Sequence, residues 1–376
     1  MKASGSNRVE GLRPVIQGVL SGLLLVAIPA AASAAERLLT FDPNAATPQA
    51  TTPAPATGTP APAASPDASA SAASASTSAT VSSVNPNATF MCSNQRLEGD
   101  GQIGWPGFLT GLRGFEQFYD PIGQPLYFES PFIETSIRLL YLHHEFSPNS
   151  ELQGGHLDVI AAQARVAITE RLALIATKDG FSWLNAGALP EDSGSNDLAA
   201  GLKYAVIIDR QNDFVLTPGV RFEFRSGAGQ VLQGGTYEFS PFVSFAKGFG
   251  DFHIIGDVTD RIPTDSSEGN NVLQWDTHFD YDLGKIGLKG VAPTIEVHGL
   301  HYLSNGDRTP LNVGGLDYTN LGSTNVRGDS VVWMGVGGRV KFTPNFSVGC
   351  TYEFALTNKN ADIMDNRVTL DFLIVW

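Results

Sequence analysis

Asn366-Arg367-Val368-Thr369-Leu370-Asp371-Phe372-Leu373-Ile374-Val375-Trp376 is the stretch whose reading decides the fold. With a period of two, Val368, Leu370, Phe372, Ile374 and Trp376 share one side, and Thr369 and Asp371 lie on the other. A strand with one continuous apolar face and an aromatic residue at its end suits an outer-membrane barrel. There lipid covers the apolar face and the ring sits at the membrane boundary. The last strand of a soluble sandwich has the same local pattern, so the rest of the chain decides between them.

Composition narrows the choice. After the N-terminal region no apolar run approaches the about 20 residues that a helical span needs, so a membrane would be crossed by strands. The net charge of −14 argues against nucleic acid as a partner, because phosphates would be repelled. Cys92 and Cys350 are the two cysteines, too few for a disulfide framework or a cysteine metal cluster.

The chain divides into four parts. Residues 1–34 read as a cleaved signal peptide: Lys2, Arg8 and Arg13 are basic, Val15 to Ile28 is apolar, and Ala32-Ser33-Ala34 is a small-residue cleavage site. Residues 35–89 are a disordered periplasmic linker, almost all Ala, Pro, Ser and Thr from Pro43 onward, with too little apolar bulk to offset chain entropy. Residues 90–131 carry Trp105, Phe108, Phe115, Phe118, Tyr119, Tyr127 and Phe128 with no clean period. That much aromatic surface needs cover, which makes the stretch a plug inside a barrel or a cap across its periplasmic mouth.

Residues 132–376 fall into alternating segments at about 133–146, 156–168, 171–184, 197–208, 213–225, 236–247, 251–262, 272–283, 291–303, 330–342, 345–357 and 364–376. Their connections alternate between tight turns (Thr169-Glu170, Asp209 to Asn212, Gly248 to Gly250, Gly284 to Gly290, Thr343-Pro344) and longer polar loops. The loops are Ser147–Gly155, Asn185–Asn196, Ser226–Gly235, Pro263–Asn271, Ser304–Asp329 and Asn358–Ile363. Short periplasmic turns alternating with longer external loops are the plan of an outer-membrane barrel, and a sandwich has no reason to keep that order. The expected fold is all-β, a transmembrane antiparallel β-barrel of about twelve strands.

The same alternation assigns faces. Phe346, Val348, Cys350, Tyr352 and Phe354 fall on the lipid side, which argues against a Cys92–Cys350 disulfide. The inward set carries Arg138, Arg165, Lys203, Arg221, Arg225, Arg339 and Lys341 against Glu134, Glu223, Asp257, Asp276, Asp280, Asp282, Glu296, Glu353 and Asp371. Such charges either pair across strands and stiffen a closed barrel, or line a wet path and select solutes. Acids concentrate on 272–283 and 291–303, which predicts a preference for cations.

His278 and His298 join Asp276, Asp280 and Glu296 on two adjacent segments, the right chemistry for a divalent metal but without fixed ligand spacing, so lumen pairing is the expectation. In His143-His144 the two rings point to opposite faces. No Ser, His and Asp set demands a hydrolase. Gly335-Val336-Gly337-Gly338 lies inside a continuing strand rather than before a helix, so it is no phosphate loop.

The hairpins Arg165-Val166-Ala167-Ile168-Thr169-Glu170-Arg171-Leu172-Ala173-Leu174 and Asp197-Leu198-Ala199-Ala200-Gly201-Leu202-Lys203-Tyr204 resemble the bacterial outer-membrane barrel family typed by a phenol-degradation pathway component. The resemblance extends loosely over 132–376 and implies a channel for small solutes, aromatic or apolar ones among them. It transfers no functional residues, and the linker and the aromatic stretch depart from the family plan. Outer-membrane lipid and, through the strand ending at Trp376, the barrel-assembly machinery are the expected partners, with no cofactor and no metal. The rival readings are a non-conducting anchor that displays the Ser304–Asp329 loop and, third, a hydrolase.

Overall fold

A computed structural model describes residues 106–228, 235–357 and 363–376. The signal peptide, the linker, the start of the aromatic stretch and Cys92 lie outside these residues.

Fifteen β segments form one antiparallel sheet: β1 Ser136–Glu145, β2 Gly155–Ala167, β3 Leu172–Lys178, β4 Phe181–Ala186, β5 Asp192–Ser195, β6 Leu198–Tyr204, β7 Ile207–Asp209, β8 Phe214–Phe224, β9 Glu238–Phe249, β10 Phe252–Pro263, β11 Val272–Tyr281, β12 Val291–Tyr302, β13 Ser330–Thr343, β14 Phe346–Ala355 and β15 Asn366–Val375. They make twelve staves, because β3 and β4 are two halves of one, and β5, β6 and β7 are pieces of the next. Each stave pairs with its sequence neighbours, and β1 pairs with both β2 and β15. The twelve staves therefore close into a ring, while the short segments β5 and β7 pair with β4 and β8 respectively.

Alternation explains the closure. On β1, Ser136, Arg138, Leu140, Leu142 and His144 are buried inside, while Ile137, Leu139 and Tyr141 face out. His143 and His144 indeed part company, with His144 buried inside against the Ile363 carbonyl and His143 outside beside Asp158. Around the outer surface Leu139, Ile160, Val243, Val258 and Phe372 are each 40–54% exposed, a belt too large for water and suited to lipid. Aromatic rings mark both borders: Phe249, Phe342 and Trp376 near the short turns, Trp183, Phe224 and Tyr237 near the long loops. Cys350 is exposed on this outer face as a free thiol.

Two connections differ from the sequence expectation. Half of the stretch expected as a long loop over Asn185–Asn196 is strand, and residues 187–191 remain as the link between β4 and β5. Bends at Asp179-Gly180 and Asn196-Asp197 let both staves run on past the point where the alternation breaks. Gly180 sits at φ +93°, and a Cβ there would lie 2.1 Å from the Ile160 carbonyl oxygen, so the bend requires glycine. The long connection 304–329 is not simply displayed: Val313, Leu316, Asp317, Tyr318 and Leu321 are buried as it folds inward.

Residues 106–131 lack regular structure and enter the barrel from the short-turn end. Glu170 donates its backbone N–H to the Pro106 carbonyl, and Leu109 donates to Ala167 at the same rim. Phe115, Phe118, Phe128 and Phe132 then pack with Ala167, Val215, Ala246 and Ile255 as a lower apolar layer. Leu126 and Tyr127 reach a second layer toward the long loops, where Leu316, Tyr318 and Trp333 meet them.

Candidate lumen site

Residues 120–131 lie inside the ring of staves, and side chains from opposite walls hold them. On one wall Arg165 of β2 grips Glu129 with both arms, Nε to Oε1 at 2.8 Å and Nη2 to Oε2 at 2.9 Å. Lys203 of β6 donates to Glu129 Oε1 and to the Ser130 carbonyl, both at 2.7 Å. Arg221 of β8 comes within 3.8 Å of Glu129 Oε2. Burial alone would push the Glu129 carboxyl up, but these three cations hold it well below the usual carboxylate range.

On the other wall the arrangement inverts, with the strand supplying the acceptor. Glu296 of β12 accepts the backbone N–H of Ile122 at 2.7 Å and of Gly123 at 2.6 Å. His278 of β11 stands directly across the pair and donates from Nδ1 to Glu296 Oε1 at 2.7 Å. His298 donates from Nδ1 to Asp276 at 2.7 Å, and His253 of β10 to Asp280 at 2.6 Å. The candidate metal set thus resolves into imidazole–carboxylate pairs held across neighbouring strands, and the acids of β11 and β12 are largely answered by imidazole.

Between the walls, Arg339 of β13 and Arg138 share Asp371 at 2.7 and 2.6 Å, and both also donate to carbonyls of residues 120–122. Lys341 donates to the Glu116 and Phe118 carbonyls at the mouth, over the Tyr119 ring. Tyr119 in turn donates to Asp282 at 3.0 Å. Glu223 takes Lys178 at 2.6 Å, and Glu353 takes Arg367 at 2.6 Å and the Trp333 indole at 3.1 Å. Asp257 is buried beside Thr259, which donates to it at 2.7 Å. Arg225 is the exception: β8 ends at Phe224, and Arg225 is exposed at the start of the following loop.

Sequence reading missed several partners that complete this network. Arg261 of β10 joins Glu238 of β9, the Leu316 carbonyl and the face of the Tyr127 ring, 4.1 Å from its centroid. Arg367 binds Glu353 and Asp317 together. Each lies in phase with inward residues already assigned, Arg367 with Thr369 and Asp371 and Arg261 with Asp257, so the signal was present. Glu129 had none, because the stretch around it has no period.

Fold and site define a membrane-spanning β-barrel whose lumen is occupied by its own N-terminal segment. No protein-family model and no curated relative matches the chain. Among solved structures it is similar to an outer membrane channel from Pseudomonas putida F1, with 14% identity and a TM-score of 0.44 over 69% of this chain and 100% of that one. It is similar to the KdgM porin at 11% identity and TM-score 0.36, covering 64% of this chain and 99% of the porin. LpxR from Salmonella typhimurium matches at 9% identity and TM-score 0.37, over 64% and 100%.

Proposed function

We propose that the protein is a porin-like outer-membrane channel for passive uptake of small solutes, and that residues 120–131 close it in this form. The observation that carries the reading is the charged inner wall. Arg138, Arg165, Lys203, Arg221, Glu296 and Arg339 come from staves right around the barrel, and all contact a removable segment or its ion partners. A barrel serving only as an anchor is better filled with apolar side chains, which avoid the cost of desolvating ions. With the segment withdrawn, the same wall is a polar path. Export through the N-terminal signal, assembly through the strand ending at Trp376, and small aromatic or apolar solutes, as the family resemblance implies, complete the proposal.

Single-channel recording in a planar bilayer tests it, comparing the mature protein with a chain lacking residues 35–131. Steps from the truncated chain, absent or rare in the full one, are expected. A second reading, a non-conducting anchor, draws support from the inward fold of residues 304–329, which covers the lumen from the other end. Silence from both chains, with each barrel folded on a heat-modifiability gel, selects that anchor instead.

A further inference from the structure

We infer that Arg165, Lys203 and Arg221 form a binding site for a small carboxylate solute, and that Glu129 occupies it as a tethered competitor. The inference rests on the channel reading above and names the solute chemistry of that channel.

Three strand-borne cations converge on one carboxylate, at 2.8, 2.7 and 3.8 Å. All three are at most 5% exposed. Among the described residues Glu129 is the carboxylate in ion-pair contact with them. A buried ion held for stability needs its own partner, and surplus buried cations are costly. Arg221 shows the surplus most clearly. It is 1% exposed, and its Nε, Nη1 and Nη2 donate no hydrogen bond to any described residue. Its guanidinium instead lies over the rings of Tyr127 and Phe242, 5.1 and 5.4 Å from their centroids. A fork with five donors and no acceptor is poised for a second oxygen that Glu129, already held by Arg165 and Lys203, does not reach.

Ownership of the residues separates receptor from occupant. Arg165, Lys203 and Arg221 belong to β2, β6 and β8, which the barrel fixes whether or not the segment is present. Glu129 and Ser130 belong to the segment. When it leaves, the cations remain on the wall with Phe242, which offers a flat apolar face next to Arg221. The cation preference expected from the acids of β11 and β12 gives way, since imidazoles answer those acids, whereas among the described residues the three cations opposite share one ion-paired carboxylate, with Glu134 and Asp120 facing Arg165 at longer range.

The test is calorimetric titration of the detergent-solubilised full chain and its Glu129→Gln variant with benzoate and, separately, benzamide. Freeing the cations is expected to tighten benzoate binding by roughly tenfold or more, the scale of one lost charge-assisted competitor. Benzamide, with the same ring and no charge, should bind neither chain, and adding Arg165→Met to Glu129→Gln should abolish the gain. Glu129→Asp, which keeps the charge but draws it back by one methylene, should give an intermediate gain and serves if Glu129→Gln fails the heat-modifiability check. Equal benzoate affinity in the parent and the variants, or equal binding of benzamide, overturns the site. Because binding is read without flux, a barrel that conducts but ignores benzoate removes this site alone. A silent barrel that binds benzoate removes the channel and keeps the site.

Discussion

Gly123 donates its backbone N–H to Glu296 across 2.6 Å, and no side chain could stand where its hydrogen does. A Cβ at Gly123 would lie 2.7 Å from Glu296 Oε2 and 2.9 Å from both Glu353 Oε1 and His298 Nε2. All three side chains are buried, the two carboxylates are hydrogen-bonded at these oxygens and the His298 ring is held through Nδ1, so they have little freedom to retreat. Gly123→Ala should weaken seating of the segment by about 1–3 kcal/mol, the cost of overpacking. The barrel itself should stay folded. More frequent open steps in single-channel recordings, with unchanged heat modifiability, are the expected outcome; an unchanged closed state would show that this contact does not hold the segment.

Arg367 lies fully buried in the upper lumen between Glu353 and Asp317. Arg367→Leu leaves two buried carboxylates without their cation and should cost about 3–5 kcal/mol. Arg367→Lys keeps the charge but loses the fork, and should fall between. Urea unfolding in lipid vesicles measures both.

The outer face should respond by depth rather than by partner. Val258, near the middle of β10, is 48% exposed to the surrounding phase. Val258→Arg should cost about 2–4 kcal/mol in vesicles, whereas Phe249→Arg at the border should cost about 0–1 kcal/mol beyond the lost ring. Similar penalties at the two positions would deny the belt its membrane.

Two acids next to the lumen predict opposite responses to pH. Burial and the neighbouring Asp120 carboxylate push Glu134, just before β1, up to about 7 from an ordinary 4.5. A raised acid favours the folded state below its unfolded value, so this contribution is lost as pH rises from 4.5 toward 7. Glu134→Gln should therefore stabilise the protein at neutral pH, by on the order of 2 kcal/mol, and do little in acid. Glu129 is held down instead, so its contribution persists above the ordinary carboxylate range and fades only as pH falls below it. Vesicle unfolding midpoints for both Gln variants across pH separate the two signs.

The barrel was legible because a period of two and a strict order of turns are written along residues 132–376. Strand ends were harder. Asn185–Asn196 read as a loop, yet backbone pairing continues into it through the end of β4 and through β5. Inward charges followed from phase, while their partners depended on register, which no single strand encodes: His278 meets Glu296 only because β11 and β12 pair at that offset. The role of Glu129 was invisible for another reason. Its segment has no period, and its environment is made by three strands far away in sequence.

The seam between β1 and β15 joins residues 136–145 to residues 366–375, and Arg113 bonds the Trp376 carbonyl at its foot. Closing it requires contacts across nearly the full length of the barrel sequence, which makes closure a late and slow event. The lumen segment is continuous with β1, which forms one side of that seam. The chain that closes the seam thus carries the occupant of its own lumen, and an empty barrel of the full chain is one from which that segment has been withdrawn.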